Sequence, residues 1–361
     1  AEKPLFSAPI SRPHTKPFLK SPTIPAPGSV FAISARHVLK ARCTMGRPLR
    51  HFPTKRSKKK PLFVEATCRT IQGRLLLQPS SRVTTVILGI IGRALALYKG
   101  VKMVDFNVLS NHYHLGLLAE DEEVLARFMG YINSLLATKV AAKIHKWRAK
   151  TWARRYSSIP ILGEAKMIER IRYIYSQAVH HDLVGRPELW PGASSVRARL
   201  FGEKLEGKWY DETAIYRAQR GGKTVNPEDY ATTFEVPLAP LPCWDDLTDG
   251  EYQDQVTNMI MEIVEEAQHR WELEGRRPMG AAAVLRQDPW SRPKKMKVSP
   301  APLCHASKSR FKKYKADLAT FQERYDWASE HFRAGDFHVE FPNFCFRPAG
   351  PFVRPEPREP H

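Results

Sequence analysis

Residues 101–118 read VKMVDFNVLSNHYHLGLL, a sequence typical of a β-hairpin. Two short runs of β type, Val101 to Leu109 and His112 to Leu118, are separated by Ser110-Asn111. A two-residue polar break between apolar runs predicts a tight turn. We therefore expect the two runs to lie side by side as antiparallel strands of one sheet.

The segments around this hairpin complete a larger pattern. Before it, a strand begins at Leu62 and is closed by Gly73, and a helix with an apolar period of about 3.6 residues stops at Gly100. After it, helices are predicted over Glu122 to Trp147 and from about Glu164 to Val179. The order strand, helix, strand, strand, helix is typical of a ferredoxin-like, split β-α-β arrangement. The predicted fold class is therefore α+β with an antiparallel sheet.

Charge and composition divide the chain into three regions. Residues 1–60 hold nine prolines, carry a net charge of +13 and end in Lys55-Arg56-Ser57-Lys58-Lys59-Lys60, which predicts an extended basic arm. Residues 61–200 carry a net charge of +10 and contain the α+β pattern. Residues 201–361 carry −3, and two amphipathic helices between proline-rich connectors predict a mostly helical accessory region.

The net charge of +20 favours a polyanionic partner, for which nucleic acid is the commonest candidate. No membrane association is expected, because the longest apolar run, Val86 to Leu97, is shorter than the roughly 20 residues that span a bilayer. The first 30 residues contain no continuous apolar run of the kind found in secretion signals, so secretion is not expected, and the five cysteines include no CxxC pair. We therefore expect a reducing, cytoplasmic location in association with the nucleoid.

The hairpin contains a His-x-His pattern. Side chains at i and i+2 of a strand share a face, so His112 and His114 are expected to project together while Tyr113 faces the other way. Gly116 continues the histidine face without a side chain, which leaves room for another group to approach. Two imidazoles do not complete a site for a divalent ion, so an oxygen or a third nitrogen is required. The pair Cys304-His305 has no further ligand at a suitable spacing and is interpreted as structural.

The predicted helix over residues 164–179 carries a candidate for that third ligand. Its apolar residues form one arc that includes Tyr175, whereas Tyr173 lies nearly opposite the centre of the arc and Gln177 is its i+4 neighbour. Tyr175 is therefore interpreted as a core residue. Tyr173 is either an ordinary surface tyrosine or a phenol directed at a substrate, with the Gln177 oxygen free to bind a metal.

A basic and aromatic segment separates the two helices that follow the hairpin. Its cations are Arg148, Lys150, Arg154 and Arg155, and its aromatic residues are Trp147, Trp152 and Tyr156. Cations for phosphates and rings for base stacking suit a single-stranded or hairpin substrate, to which Lys58, Lys59 and Lys60 of the arm would add phosphate contacts. A solvated helix end with core aromatic residues is the alternative interpretation.

Together these motifs resemble the single-tyrosine His-hydrophobic-His transposases, and in particular the REP-associated tyrosine transposases. The resemblance extends from Phe63 to about Arg199. Its motifs are Met45-Gly46-Arg47-Pro48 ahead of that segment, Ser110-Asn111-His112-Tyr113-His114-Leu115, Arg172-Tyr173-Ile174-Tyr175, Leu183-Val184-Gly185-Arg186-Pro187-Glu188-Leu189-Trp190-Pro191 and Ser194-Ser195. Where the family commonly continues with Asn-Pro-Val, this chain has Gln177-Ala178-Val179, and glutamine retains the amide oxygen.

The resemblance implies a DNA transposase: metal-dependent cleavage and strand transfer of single-stranded DNA, on hairpin or palindromic repeats of a bacterial genome, by a monomer or a homodimer. It implies that Tyr173 is the nucleophile and forms a 5′-phosphotyrosyl intermediate, and Tyr131 and Tyr156 are kept as alternative nucleophiles. The metal ligands that it implies are His112, His114 and Gln177, with Mg²⁺ or Mn²⁺ as the ion. Two other functions stay open: a catalytically inactive protein that binds DNA or RNA hairpins, and a metal-dependent nuclease that uses water.

Overall fold

Residues 51–53, 60–222, 224–293, 301–343, 345 and 347–348 are described by a computed structural model, and all of them belong to one unit, Met45–His361. The strands are β1 (Leu62–Arg69), β2 (Val101–Val108), β3 (His112–Ala119), β4 (Ser157–Leu162), β5 (Glu206–Tyr210), β6 (Ala231–Glu235) and β7 (His305–Ala306). The α-helices are α1 (Ser81–Leu97), α2 (Glu122–Leu135), α3 (Glu164–His180), α4 (Val196–Phe201), α5 (Glu212–Arg220), α6 (Asp249–Glu274), α7 (Ala281–Leu285) and α8 (Lys308–Arg333). Within these ranges, no helix combines the length and the apolarity needed to cross a membrane.

Five strands form the central sheet, in the order β2-β3-β1-β4-β7. β1 pairs antiparallel with both β3 and β4, and β2 pairs antiparallel with β3. The first four strands, with α1 and α2 in their connections, confirm the predicted α+β class. β4 and the fifth strand, β7, were not predicted from the sequence. β7 comes from the mainly helical region after residue 200 and runs parallel to β4, with His305 opposite Ile161.

The predicted hairpin between β2 and β3 is confirmed. The Leu109 backbone N–H donates to the His112 carbonyl over 2.8 Å, so only Ser110 and Asn111 form the turn. This closure fixes the register of β3 and therefore the face on which each of its side chains lies.

One face of the sheet is covered by α1 and α2. Each helix begins at a side chain that accepts a hydrogen bond from an otherwise unpaired backbone N–H: Ser80 accepts from Val83 over 3.2 Å, and Asp121 accepts from Val124 over 2.8 Å. α2 continues as a π-helix over Leu136–Ile144, so the helix predicted to reach Trp147 ends earlier. The buried apolar side chains of these helices form a first core against the sheet.

The opposite face of the sheet is covered by α3 and α6, which form a second core. Its main members are Phe63, Val104 and Leu118 of the sheet, Ile171, Ile174 and Tyr175 of α3, and Val256, Ile260 and Ile263 of α6. The burial of Tyr175 and the extent of α3 agree with the sequence prediction. Each fully buried Ile contributes about 1.5–3 kcal/mol, so this core holds α3 firmly between the sheet and α6.

The hairpin of β5 and β6 packs on the outer side of α1. The two backbones come so close that a Cβ on Gly207 would lie 2.0 Å from the Gly89 nitrogen. Only glycine allows this approach, which brings the segment after α4 across the first core.

Candidate active site

The two histidines of β3 lie together on the face that is covered by α3. Their ring centroids are 5.1 Å apart with the planes at 80°, and both side chains are largely buried. Tyr113 points into the first core instead, which confirms the predicted alternation. The shared face was thus predictable from the two-residue repeat of a strand alone.

Each imidazole is oriented through its Nδ1 atom. His112 Nδ1 lies 2.7 Å from Asn111 Oδ1, and His114 Nδ1 lies 2.7 Å from Glu65 Oε1. The Asn111 amide nitrogen donates to the Gly73 carbonyl over 3.1 Å, so Asn111 presents its oxygen to the histidine. Both Nδ1 atoms therefore face an acceptor oxygen, which leaves each Nε2 as the ring atom that could bind a metal.

Glu65 is the buried centre of a charged network. Arg170 of α3 donates to it twice, from Nε to Oε2 over 2.8 Å and from Nη2 to Oε1 over 2.9 Å. Burial raises the pKa of Glu65, but the hydrogen bonds and charges of His114 and Arg170 outweigh it and bring the pKa to about 2. The ionised carboxylate makes His114 a stronger electron donor, as acidic groups behind metal-binding imidazoles do.

Tyr173 lies beside this network in the same chain. Its ring centroid is 5.4 Å from that of His114, and the Arg170 guanidinium carbon lies 3.8 Å from the Tyr173 ring centroid. The side chain is 37% exposed, whereas Tyr175, two residues on, is fully buried. The helix therefore directs Tyr173 to the histidine pair and to solvent at once, and no second copy of the chain is needed for this arrangement.

Gln177 is buried one turn after Tyr173. Its Nε2 donates to the Tyr173 carbonyl over 3.0 Å, and its Oε1 has no hydrogen-bond partner of normal geometry within the described ranges. Burial, followed by the His114 charge, holds the pKa of His112 well below 6.5, and the Gln177 amide opposes this shift. A buried amide oxygen without a donor, facing a neutral imidazole, is a free ligand position.

The donor set therefore consists of two imidazole nitrogens and one amide oxygen. In the part of the chain that the structure describes, no group of three or more His, Cys, Asp or Glu side chains could hold a metal ion. A cation at this place would thus depend on the amide oxygen of Gln177. The unsatisfied Oε1 and the two Nε2 atoms are donors of the types that suit a divalent ion accepting both nitrogen and oxygen ligands.

Two further histidines near the site were not predicted. The His181 ring centroid is 5.7 Å from that of His112, and burial, followed by the His180 charge, lowers the pKa of His181 to about 4. His181 follows Gln177 by one helical turn, so the i+4 spacing could have indicated it. His305 Nε2 lies 3.9 Å from Glu65 Oε2. That contact depends on the pairing of β7 with β4, for which the local sequence gives no signal.

The expectation for Gly116 was wrong. A Cβ at this position would lie 3.2 Å from Cζ of Phe63, because the Phe63 ring already covers the glycine. Gly116 therefore admits a core side chain of β1 and leaves no space there for a ligand.

The predicted basic segment lies at the histidine end of the sheet. Arg148, Lys150, Arg154 and Arg155 are all exposed. The Ala153 N–H donates to the Arg69 carbonyl over 2.9 Å, and Arg69 is paired with His112 across the sheet. Lys60 of the arm is exposed, whereas Lys58 and Lys59 lie outside the described residues.

The alternative nucleophiles are not in this site. Tyr156 is buried in the first core, on the other face of the sheet. Tyr131 packs against the same core, where Arg93 donates to its hydroxyl and the Trp209 ring stacks on it. Tyr173 is thus the one of the three proposed tyrosines that lies beside the histidine pair.

A cavity of about 270 Å³ opens next to Tyr173, between α3 and α6. Arg172 on its wall pairs with Glu266 over 2.7 Å, and Arg270 lines the same cavity. The accessory helix α6 therefore forms one side of the cavity that Tyr173 lines.

Comparisons with known proteins give weak likenesses only. No protein-family model matches the chain, and none of the curated proteins compared with it matches. A solved structure of a REP-associated tyrosine transposase bound to a REP hairpin is 17% identical with a TM-score of 0.29, over 40% of this chain and 82% of that chain. A solved structure of a putative transposase from Deinococcus radiodurans R1 is 19% identical with a TM-score of 0.26, over 35% of this chain and 98% of that chain. Both likenesses are to the fold alone, and they amount to a weak, transposase-like relation.

Proposed function

We propose that this chain cleaves single-stranded DNA and transfers the cleaved strand, with Tyr173 as the nucleophile. The observation that supports this most is the Tyr173 ring lying 5.4 Å from the His114 ring, beside two histidines whose Nδ1 atoms are both held by oxygen atoms of the protein. An exposed phenol next to an incomplete set of metal ligands suits nucleophilic attack on a phosphodiester better than a core role.

His112, His114 and Gln177 would hold the metal ion. When bound there, Mg²⁺ or Mn²⁺ would polarise the scissile phosphate and neutralise its charge. Asn111 and Glu65 contact the Nδ1 atoms of His112 and His114, respectively. These contacts fix the orientation of both imidazoles, so that Nε2 of each ring would bind the metal.

In the proposed reaction, Oη of Tyr173 forms a bond to the phosphorus and its proton passes to solvent. The bond from phosphorus to the 3′-oxygen of the preceding nucleotide breaks, and that oxygen takes up a proton. The product is a 5′-phosphotyrosyl bond and a free 3′-hydroxyl. Attack by a 3′-hydroxyl of another strand reverses these steps and restores Tyr173.

Arg170 prepares the nucleophile. Its guanidinium lies against the Tyr173 ring and is itself fixed by two hydrogen bonds to Glu65. A positive charge held at this place favours negative charge that develops on the phenol oxygen during attack. The exposed cations of the basic segment would bind the phosphates of the same strand.

Covalent trapping tests the proposal. Labelled single-stranded hairpin DNA is incubated with the protein and Mn²⁺, and an SDS-stable protein–DNA adduct is expected. Tyr173→Phe should abolish the adduct, and Tyr216→Phe, which removes the hydroxyl of an exposed tyrosine on α5, should leave it unchanged. Absence of the adduct with the parent protein, or its survival in Tyr173→Phe, would contradict the proposal. Cleavage without an adduct would indicate a nuclease that uses water.

A further inference from the structure

The segment after α6 crosses the histidine end of the sheet. We call residues 276–293 the strap. At one end, the Met279 N–H donates to the Asp182 carbonyl, just after α3, over 2.8 Å. At the other, the Leu75 N–H, after β1, donates to the Ser291 carbonyl over 3.2 Å. The strap thus connects the end of the Tyr173 helix to the loop behind the histidines.

Trp290 of the strap and Trp147 pack edge to face, and we call this pair of rings the Trp147–Trp290 corner. Their ring centroids are 5.9 Å apart and the planes are at 80°. The Trp147 indole N–H donates to the Lys150 carbonyl over 3.1 Å, and the Trp290 indole N–H donates to the His145 carbonyl over 2.7 Å. Trp290 is nevertheless 47% exposed. Both rings are therefore fixed in orientation, while nearly half of the Trp290 surface stays open to solvent.

Arg74 joins this corner to the candidate active site. Its guanidinium carbon lies 4.9 Å from the Trp147 ring centroid, and its Nη1 donates to the Trp290 carbonyl. The preceding residue, Gly73, accepts the hydrogen bond from Asn111 that fixes the orientation of His112. The corner and the histidine pair are thus supported by the same loop.

The surface around the corner is positive. Exposed cations come from both segments: Lys146, Arg148 and Lys150 beside Trp147, and Arg286 and Arg292 beside Trp290. Asp288 is also exposed, and its Oδ1 accepts a hydrogen bond from the backbone N–H of Trp290 over 3.0 Å. A rigid, open aromatic face among cations has the two properties that single-stranded nucleic acid requires, a stacking surface for a base and counter-charges for phosphates.

We propose that the Trp147–Trp290 corner stacks an unpaired base of the DNA strand bound at the Tyr173 site. This inference rests on the proposed function, which supplies the assumption that the bound polynucleotide is DNA. A duplex hides the faces of its bases, so the corner selects unpaired nucleotides next to the point of cleavage. Because both rings are already held by hydrogen bonds, little side-chain freedom is lost when a base stacks.

Binding without chemistry tests this site. A fluorescent oligo(dT) is titrated with the full chain carrying Tyr173→Phe in EDTA, and the dissociation constant is read from fluorescence anisotropy. Adding Trp290→Leu should weaken binding about 5- to 100-fold, and Trp290→Phe should weaken it less. Trp327→Leu, which removes a 56% exposed tryptophan of α8, is the matched control and should not change binding.

Unchanged binding in Trp290→Leu would overturn the proposal. If that variant melts at a lower temperature, photo-crosslinking of the Tyr173→Phe protein to an oligonucleotide with 5-iododeoxyuridine decides instead. Crosslinks are expected at Trp147 or Trp290, and crosslinks confined to other residues would overturn it. Neither assay involves cleavage, so failure of the covalent trapping experiment would remove the proposed reaction and leave this binding result standing.

Discussion

The Arg170 guanidinium carbon lies 3.8 Å from the centroid of the Tyr173 ring. The same guanidinium donates twice to Glu65, which in turn accepts from His114 Nδ1. One arginine therefore ties the proposed nucleophile to the group that orients a proposed metal ligand. The relationship arises because Arg170 and Tyr173 are three residues apart on α3 and so share a face of the helix.

Glu65→Gln should weaken metal binding. The amide can still accept the hydrogen bond from His114, but the negative charge that strengthens the imidazole as a donor is lost. We expect the affinity for Mn²⁺ to fall about 10- to 100-fold, measured by isothermal titration calorimetry. Glu262→Gln removes an exposed carboxylate of α6 and is the matched control. Equal Mn²⁺ affinity in parent and Glu65→Gln would argue against a metal-supporting role for Glu65.

Gln177→Met should remove a metal ligand without lowering the stability of the fold. The substitution removes a buried oxygen that has no hydrogen-bond partner, and such an oxygen lowers the free energy of unfolding by about 1–3 kcal/mol. It also removes the hydrogen bond from Gln177 Nε2 to the Tyr173 carbonyl, which partly offsets this gain. In EDTA, the melting temperature should therefore be unchanged or higher. The rise in melting temperature that Mn²⁺ produces in the parent protein should be lost. A variant that Mn²⁺ stabilises as much as the parent would show that Gln177 is not a ligand.

Asp182 should stabilise the fold in a pH-dependent way. It accepts from the Trp271 indole over 2.7 Å and from Arg270 over 2.6 Å. Burial raises its pKa, but the Trp271 hydrogen bond and the arginine charges outweigh it and lower the pKa below the ordinary 3.8. The carboxylate's contribution is therefore complete above about pH 4 and is lost as the pH falls through the lowered pKa.

Urea unfolding of Asp182→Asn across this pH range measures the contribution. The variant should be less stable than the parent by about 1–3 kcal/mol at pH 7, and the difference should shrink below pH 4. A difference that stays constant down to pH 3 would mean that the ionised carboxylate is not what stabilises this junction of α3 and α6.

Ile260→Ala tests whether α6 supports the Tyr173 helix. Ile260 is 1% exposed and packs in the second core with Ile174 of α3. The cavity left by the substitution should lower the free energy of unfolding by about 2–5 kcal/mol, measured by urea unfolding. Met261→Ala changes the next residue, which is 60% exposed, and should have an effect within about 0.5 kcal/mol. Similar effects of the two substitutions would contradict the packing of α6 described above.

Local periodicity predicted the parts of the site that lie within one element. The shared face of His112 and His114 follows from the two-residue repeat of β3, and the opposite placements of Tyr173 and Tyr175 follow from the helical repeat of α3. His181 was within reach of the same reasoning, because it continues the i+4 series from Gln177. These residues need no knowledge of the tertiary structure beyond the element that carries them.

Contacts between distant segments could not be predicted in the same way. Glu65 reaches His114 because of the register in which β1 and β3 pair. Glu65 lies opposite Gly116 and Thr67 lies opposite His114, so Glu65 and His114 are diagonal neighbours on the same face of the sheet. Phe63 covers Gly116 for the same reason, which overturned the expectation of an open backbone there. His305 and Trp290 arrive from the accessory region through pairing and packing that no local pattern encodes.

The most direct measurement is the position of the covalent bond. DNA-linked protein from the trapping reaction is digested with nuclease and trypsin, and the peptide that begins after Arg172 is sequenced by mass spectrometry. It contains both Tyr173 and Tyr175, so fragment masses assign the modified residue. We expect a 5′-phosphonucleotide on Tyr173 and none on the buried Tyr175. A nucleotide on any other residue, or none on this peptide when an adduct is present, would contradict the role of Tyr173 as the nucleophile.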